Sequence, residues 1–130
     1  MPVLAGGEGS LRLAYTSEEG PNGDYEVVTV TFLAPLAHMF GPPNDEAFSG
    51  HPLAALGLTP YGAFTIENSS WVRGLEQMNS VHPHHRRERY EQLNHYVLSF
   101  HDSTFECVAE GLVHETSPAS IALVVEARPH

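Results

Sequence analysis

The 130 residues predict an α+β fold: a mostly antiparallel sheet of about five strands, with one or two helices packed on one face. Three observations predict it. Residues 11–33 and 94–110 each alternate apolar and polar side chains about a polar bend, as half-buried antiparallel hairpins do. Residues 69–79 instead carry Trp71, Leu75 and Met78 at helical spacing. The apolar fraction of 42% and the charged fraction of 17% belong to a folded chain long enough for one core. Residues 1–130 are therefore expected to form a single domain.

The first ten residues are Gly-rich and expected to fray. Asn22-Gly23 then favours a primed hairpin turn, because both residues tolerate positive φ. A two-residue turn there puts Leu11, Leu13 and Tyr15 on one face with Val28, Val30 and Phe32. Residues 35–61 hold five of the ten prolines and read as a long irregular connection, a kind of segment that is often functional. Residues 62–67 read as a short strand, and Asn68 or Ser69 is a candidate N-cap for the helix. Gly74 weakens that helix by about 1 kcal/mol relative to Ala. Residues 80–85 break it, and Arg86 to Leu93 form a charged turn or short helix. In the tail, residues 118–127 suit helix or strand; Ser117-Pro118 resembles an N-cap and first helical residue, which favours helix.

The densest polar chemistry lies in residues 94–110. With Asp102-Ser103 at the tip of a tight turn, Phe100 faces Phe105, Cys107 faces Leu98, Ser99 faces Glu106 and His95 faces Glu110. One face is then apolar (Tyr96, Leu98, Phe100, Phe105, Cys107), and the other carries Ser99, His101, Thr104 and Glu106. Cys107 and His101 fall on opposite faces and cannot form a nucleophilic pair, so the thiol is expected to be an unreactive core group. The polar face reads either as a solvated sheet surface or as a shallow pocket around Glu106, roofed by residues 35–61.

Motifs for catalysis and cofactors are missing from the sequence. There is no Gly-x-Ser-x-Gly elbow, Walker loop or dinucleotide fingerprint. His82 and His84 suggest a metal, with His51, His95 and His101 able to approach in space, but the spacing matches no metal signature and Arg86 and Arg87 oppose a cation. No catalytic residue, metal site or cofactor is therefore assigned. The net charge of −10, with sixteen acids against six arginines and no lysine, excludes nucleic acid and Schiff-base chemistry and suits a basic protein partner. No apolar run approaches membrane-spanning length, no signal peptide is visible, and the lone cysteine fits a reducing compartment. A cytoplasmic location is expected.

The tracts "NSSW" (68–71), "MNSVHP" (78–83) and "HYVLSFHDSTFEC" (95–107), within residues 50–111, resemble a bacterial family of small uncharacterised proteins. The resemblance implies no activity. It directs attention to Asn68, Ser69, Trp71, Asn79, His82, His101, Asp102, Ser103, Thr104 and Glu106. The leading expectation is a small non-catalytic binding protein, such as an acidic inhibitor or immunity-type protein. The competing one is a hydrolase-like enzyme working through His101, Asp102 and Glu106, with or without a metal held by histidine. A homodimer, through sheet edges or the Trp71 helix, is the third.

Overall fold

Alternating side chains from Asn94 to Ala109 fold back on themselves, and the computed structural model shows how. It describes residues 2–7, 10–16, 26–59 and 61–117. The fold is α+β, and the described residues form eight strands in two four-stranded sheets and two helices. The chain divides into two compact units, Leu36–Gly111 and the two flanking segments Met1–Pro35 and Leu112–His130.

In the flanking unit, β1 (Val3–Gly7), β2 (Ser10–Thr16), β3 (Val27–Leu33) and β8 (Gly111–Ser117) are ordered β1-β2-β3-β8. Residues 3–7, expected to fray, instead pair antiparallel with β2, Val3 opposite Ala14 and Leu4 opposite Leu13. A neighbouring strand satisfies the backbone N–H and C=O groups of this Gly-rich segment, which its composition alone does not reveal. Leu11, Leu13, Val30 and Phe32 are buried as expected. The register differs from the expected one by two residues: Leu11 lies opposite Phe32 and Leu13 opposite Val30. The Asn22-Gly23 turn and the 118–127 segment lie outside the described residues.

In the other unit, β4 (Ala37–Gly41), β5 (Ala63–Ile66), β6 (Asn94–Ser99) and β7 (Thr104–Ala109) form a sheet ordered β4-β7-β6-β5. β4 is an edge strand within the supposedly irregular 35–61 connection, and it pairs antiparallel with β7. Flanking Pro35 and Pro42 disguise it, yet proline is tolerated at the ends of an edge strand. Short 3-10 turns at Phe48–Gly50 and Ala54–Leu56 order the rest of that connection. Helix α1 (Ser70–Asn79) begins at the N-cap Ser69, and α2 spans Arg87–Glu91. Of the three expected apolar positions in α1, Met78 is 68% exposed and does not join the core.

The β6–β7 register also differs by two residues. Leu98 lies opposite Phe105, Tyr96 opposite Cys107, Val97 opposite Glu106, His95 opposite Val108 and Ser99 opposite Thr104. The turn is longer than expected, with Phe100 N–H donating to the Ser103 carbonyl at 2.8 Å. Because side chains alternate with period two, the slip leaves every residue on its expected face and changes only its partner. Every residue of β7 is buried, so the Glu106 face is not a solvated surface.

Candidate functional site

Glu106 sits under the 42–61 segment. His51 Nε2 lies 2.9 Å from Glu106 Oε2, and His95 Nε2 lies 2.7 Å from Oε1. The side chains of His51, Glu106 and His95 are only 5%, 12% and 4% exposed. The backbone N–H of Leu53 donates to His51 Nδ1 at 3.0 Å, so that nitrogen holds a lone pair and Nε2 holds the proton donated to Glu106. His95 Nδ1 lies 2.8 Å from Ser69 Oγ. Ser69 Oγ also accepts the Val72 N–H at 3.2 Å, and because His95 gives its Nε2–H to Glu106, the neutral imidazole keeps a lone pair on Nδ1 for the serine hydrogen. The result is a continuous relay from the Ser69 hydroxyl through His95 to the Glu106 carboxylate, which His51 clasps from the other side.

Local sequence explains the placement. β5 must turn sharply into α1, and Asn68 makes the turn at φ 52°, a conformation asparagine tolerates better than most residues. Ser69 then becomes a helix cap whose oxygen is shared between backbone and imidazole. Trp71 packs edge-on against the His95 ring at 5.1 Å, and Phe48 stacks on His51 at 5.5 Å. Burial pushes the Glu106 carboxyl up, but the hydrogen bonds from His95 and His51 outweigh it and leave the group below its ordinary value.

A cavity of 660 Å³ adjoins this relay. Ser69, Asn68, Val72 and Asn94 line it, with Glu67, Glu76 and Glu91 against Arg73 and Arg87. Arg87 is engaged with Glu76 at 3.9 Å and Glu91 at 4.0 Å.

His101 belongs elsewhere. Its Nδ1–H is shared between Asp45 Oδ2 at 2.8 Å and the Tyr61 hydroxyl oxygen at 3.1 Å, while Tyr61 donates its own proton to Asp45. Asp102 approaches His101 Nε2 at 3.8 Å, and the imidazole is 72% exposed. The Tyr61 and His101 hydrogen bonds hold the Asp45 carboxyl below its usual range, and Asp45 in turn raises His101. Among the described residues, no hydrogen bond or ion pair joins His101 or Asp102 to Glu106, so the constellation expected of a hydrolase is not assembled. The turn separates them: Glu106 points under the 42–61 segment, whereas His101 stands at the hairpin tip.

The other expected site residues are distributed as follows. Ser99 is structural, donating to the Thr59 carbonyl and accepting the Gly62 N–H, both at 2.9 Å. Thr104 donates to the Pro43 carbonyl at 2.8 Å. Ser103 Oγ is buried with no hydrogen-bond partner. His82 Nδ1 accepts the His84 N–H at 3.0 Å; the Asn79 side chain bonds His85 Nδ1 at 3.0 Å, while the Asn79 carbonyl accepts the His82 N–H at 2.9 Å. No cluster of three or more His, Cys, Asp or Glu that could hold a metal occurs among the described residues. Cys107 is fully buried, on the face opposite Glu106, and burial pushes its thiol up to about 12. His51, His95, Asp45 and Tyr61 are the functional candidates that sequence reasoning missed. Of these, only His95 carried a signal, since it shares the Glu106 face. Among the described residues, no helix is long and apolar enough to cross a membrane.

No family profile matches the chain, and neither does any curated protein or solved structure.

Proposed function

We propose that this chain is a small cytosolic binding protein whose site is the cavity between β5, α1 and α2, and whose occupant presents a cationic group. The observation that carries the reading is the cavity itself, which is large enough for a ligand and lined by three glutamates against two arginines. Arg87 is already engaged with two of those glutamates, and the chain as a whole carries −10, so the field at the mouth favours a cation. A basic partner protein, captured by an acidic inhibitor or immunity-type protein, is the form that fits. The single cysteine, which has no partner for an internal disulfide, supports a reducing compartment. Asn68, Ser69, Trp71, His95 and Glu106 all fall within the tracts 68–71 and 95–107, so the densest polar stretches of the sequence support the choice of this site.

Trp71, the only tryptophan, touches His95 beside the cavity and supplies the readout. Titration with a short arginine-rich peptide at low salt is expected to shift Trp71 emission saturably, with affinity falling as salt rises. A glutamate-rich peptide of the same length is expected to give no shift. Equal responses to both peptides, or to neither, would remove the reading.

A further inference from the structure

The relay ends on Ser69, a residue of the cavity wall, and its hydrogen bonds are ordered in one direction. Glu106 is an acceptor only, and His51 fills one of its oxygens, so His95 presents Nε2–H to the other. His95 Nδ1 is thereby left as a lone pair, 2.8 Å from the Ser69 hydroxyl. A base facing a hydroxyl, with its second nitrogen held by a buried carboxylate, is the arrangement that activates serine for acyl transfer. The Val72 N–H on Ser69 Oγ at 3.2 Å stabilises negative charge on that oxygen as the proton leaves. A helix cap alone requires only the Val72 contact. It accounts neither for the imidazole and carboxylate behind the hydroxyl nor for the cavity beside it.

We propose that Ser69 is a nucleophile toward small carboxylic esters carrying a cationic group, with His95 as general base and Glu106 as the positioning residue. The inference rests on the cavity being the binding site and adds chemistry to it. Ser69 Oγ forms a bond to the ester carbonyl carbon while its proton passes to His95 Nδ1. The carbonyl carbon then releases the leaving oxygen, which takes that proton and departs as the alcohol. Water attacks the acyl-serine, gives its proton to His95, and the carboxylic acid leaves as the proton returns to Ser69. Glu106 stays ionised throughout and holds the imidazole in the tautomer that keeps Nδ1 free. His51 keeps the carboxylate turned toward His95.

The full chain is treated with arginine ethyl ester, with p-nitrophenyl acetate as the uncharged comparison, and with a serine-directed sulfonyl fluoride. The expected results are a single sulfonyl adduct mapped to Ser69, turnover of both esters, and a lower KM for the arginine ester. Ser69→Asn keeps a capping oxygen and therefore the helix start, but has no nucleophile. It is expected to lose the adduct and at least ~100-fold in turnover while retaining the wild-type far-ultraviolet circular dichroism. His95→Gln is expected to lose a similar factor. Glu106→Gln, assayed where it remains folded, is expected to lower kcat with KM unchanged, which a purely structural role would not produce. No adduct, an adduct elsewhere, or equal turnover by wild type and Ser69→Asn would overturn the nucleophile. The binding reading fails separately, when the arginine-rich peptide leaves Trp71 emission unmoved.

Discussion

Replacing Glu106 by glutamine removes one charge and turns one acceptor oxygen into a donor, leaving the volume almost unchanged. The carboxylate accepts two imidazole N–H groups in a site that is nearly closed to water. Glutamine accepts only one, so whichever way its amide turns, the NH₂ meets the N–H of His51 or of His95. His51 cannot move its proton to Nδ1 without losing the Leu53 N–H bond. His95 can do so only if Ser69 accepts from both His95 and Val72, leaving the serine hydrogen without its acceptor. Either route loses at least one charge-assisted hydrogen bond and weakens another, and each is worth about 1.5–3 kcal/mol. The expected loss is therefore about 2–4 kcal/mol, close to the range for breaking one side of a buried ion pair. Urea unfolding followed by Trp71 emission reads it directly.

The sign of the pH dependence follows from the same contacts. The folded-state pKa of Glu106 lies below its ordinary value. The carboxylate's contribution is thus complete above the unfolded value of about 4.3 and disappears as pH falls through the lower folded value. The gap between wild type and Glu106→Gln is expected to be full at neutral pH and to close in acid. A gap below about 0.5 kcal/mol at neutral pH, or one that stays constant into acid, would refute the reasoning.

Three further outcomes are expected. Cys107, buried and pushed to about 12, is expected to resist a thiol-reactive disulfide reagent at pH 8 in the folded protein and to react at once in urea; rapid labelling of the folded protein would contradict its placement. Asp45→Asn is expected to lower the His101 pKa read by NMR titration, because Asp45 is the main group that raises it. The stabilisation from that pair is present below the unfolded histidine value and fades as pH rises through the raised folded value, so the difference between variant and wild type is expected to narrow over that range, leaving only the part due to the Tyr61 bond. Gly62→Ala would place a Cβ 2.5 Å from the Phe64 ring, which must move; a loss of about 1–3 kcal/mol and a changed Phe64 environment are expected, and wild-type stability would show that the ring moves freely.

Much of the fold was legible in the sequence because alternation reports faces. Leu13 and Phe32 share a buried face, Cys107 points away from Glu106, and Ser69 caps a helix at the expected place. Alternation does not report register beyond its own period of two, so both hairpins could slip by two residues while every residue kept its face. β4 was hidden by its prolines and by its edge position, where few side chains need be buried. The site was half visible. Ser69, Trp71 and Glu106 were singled out, and His95 shares the Glu106 face, two residues along from its directly paired position. His51 could not be placed against Glu106 from the sequence, because the two lie 55 residues apart and no local pattern carries a contact of that separation. Asp45 and Tyr61 were likewise out of reach, since an irregular segment has no periodicity from which to place its side chains.

The histidine ring nitrogens offer the most direct test. A ¹⁵N NMR experiment correlating ring nitrogens with ring carbon-bound protons distinguishes the two neutral tautomers of each imidazole. Simultaneous donation to Glu106 predicts that His51 and His95 both carry their proton on Nε2 at neutral pH. It also predicts that both Nε2–H signals are protected from exchange and that both change in Glu106→Gln. A proton on Nδ1 of His95, or ring N–H groups that exchange freely with water, would contradict the relay and the nucleophile it supports.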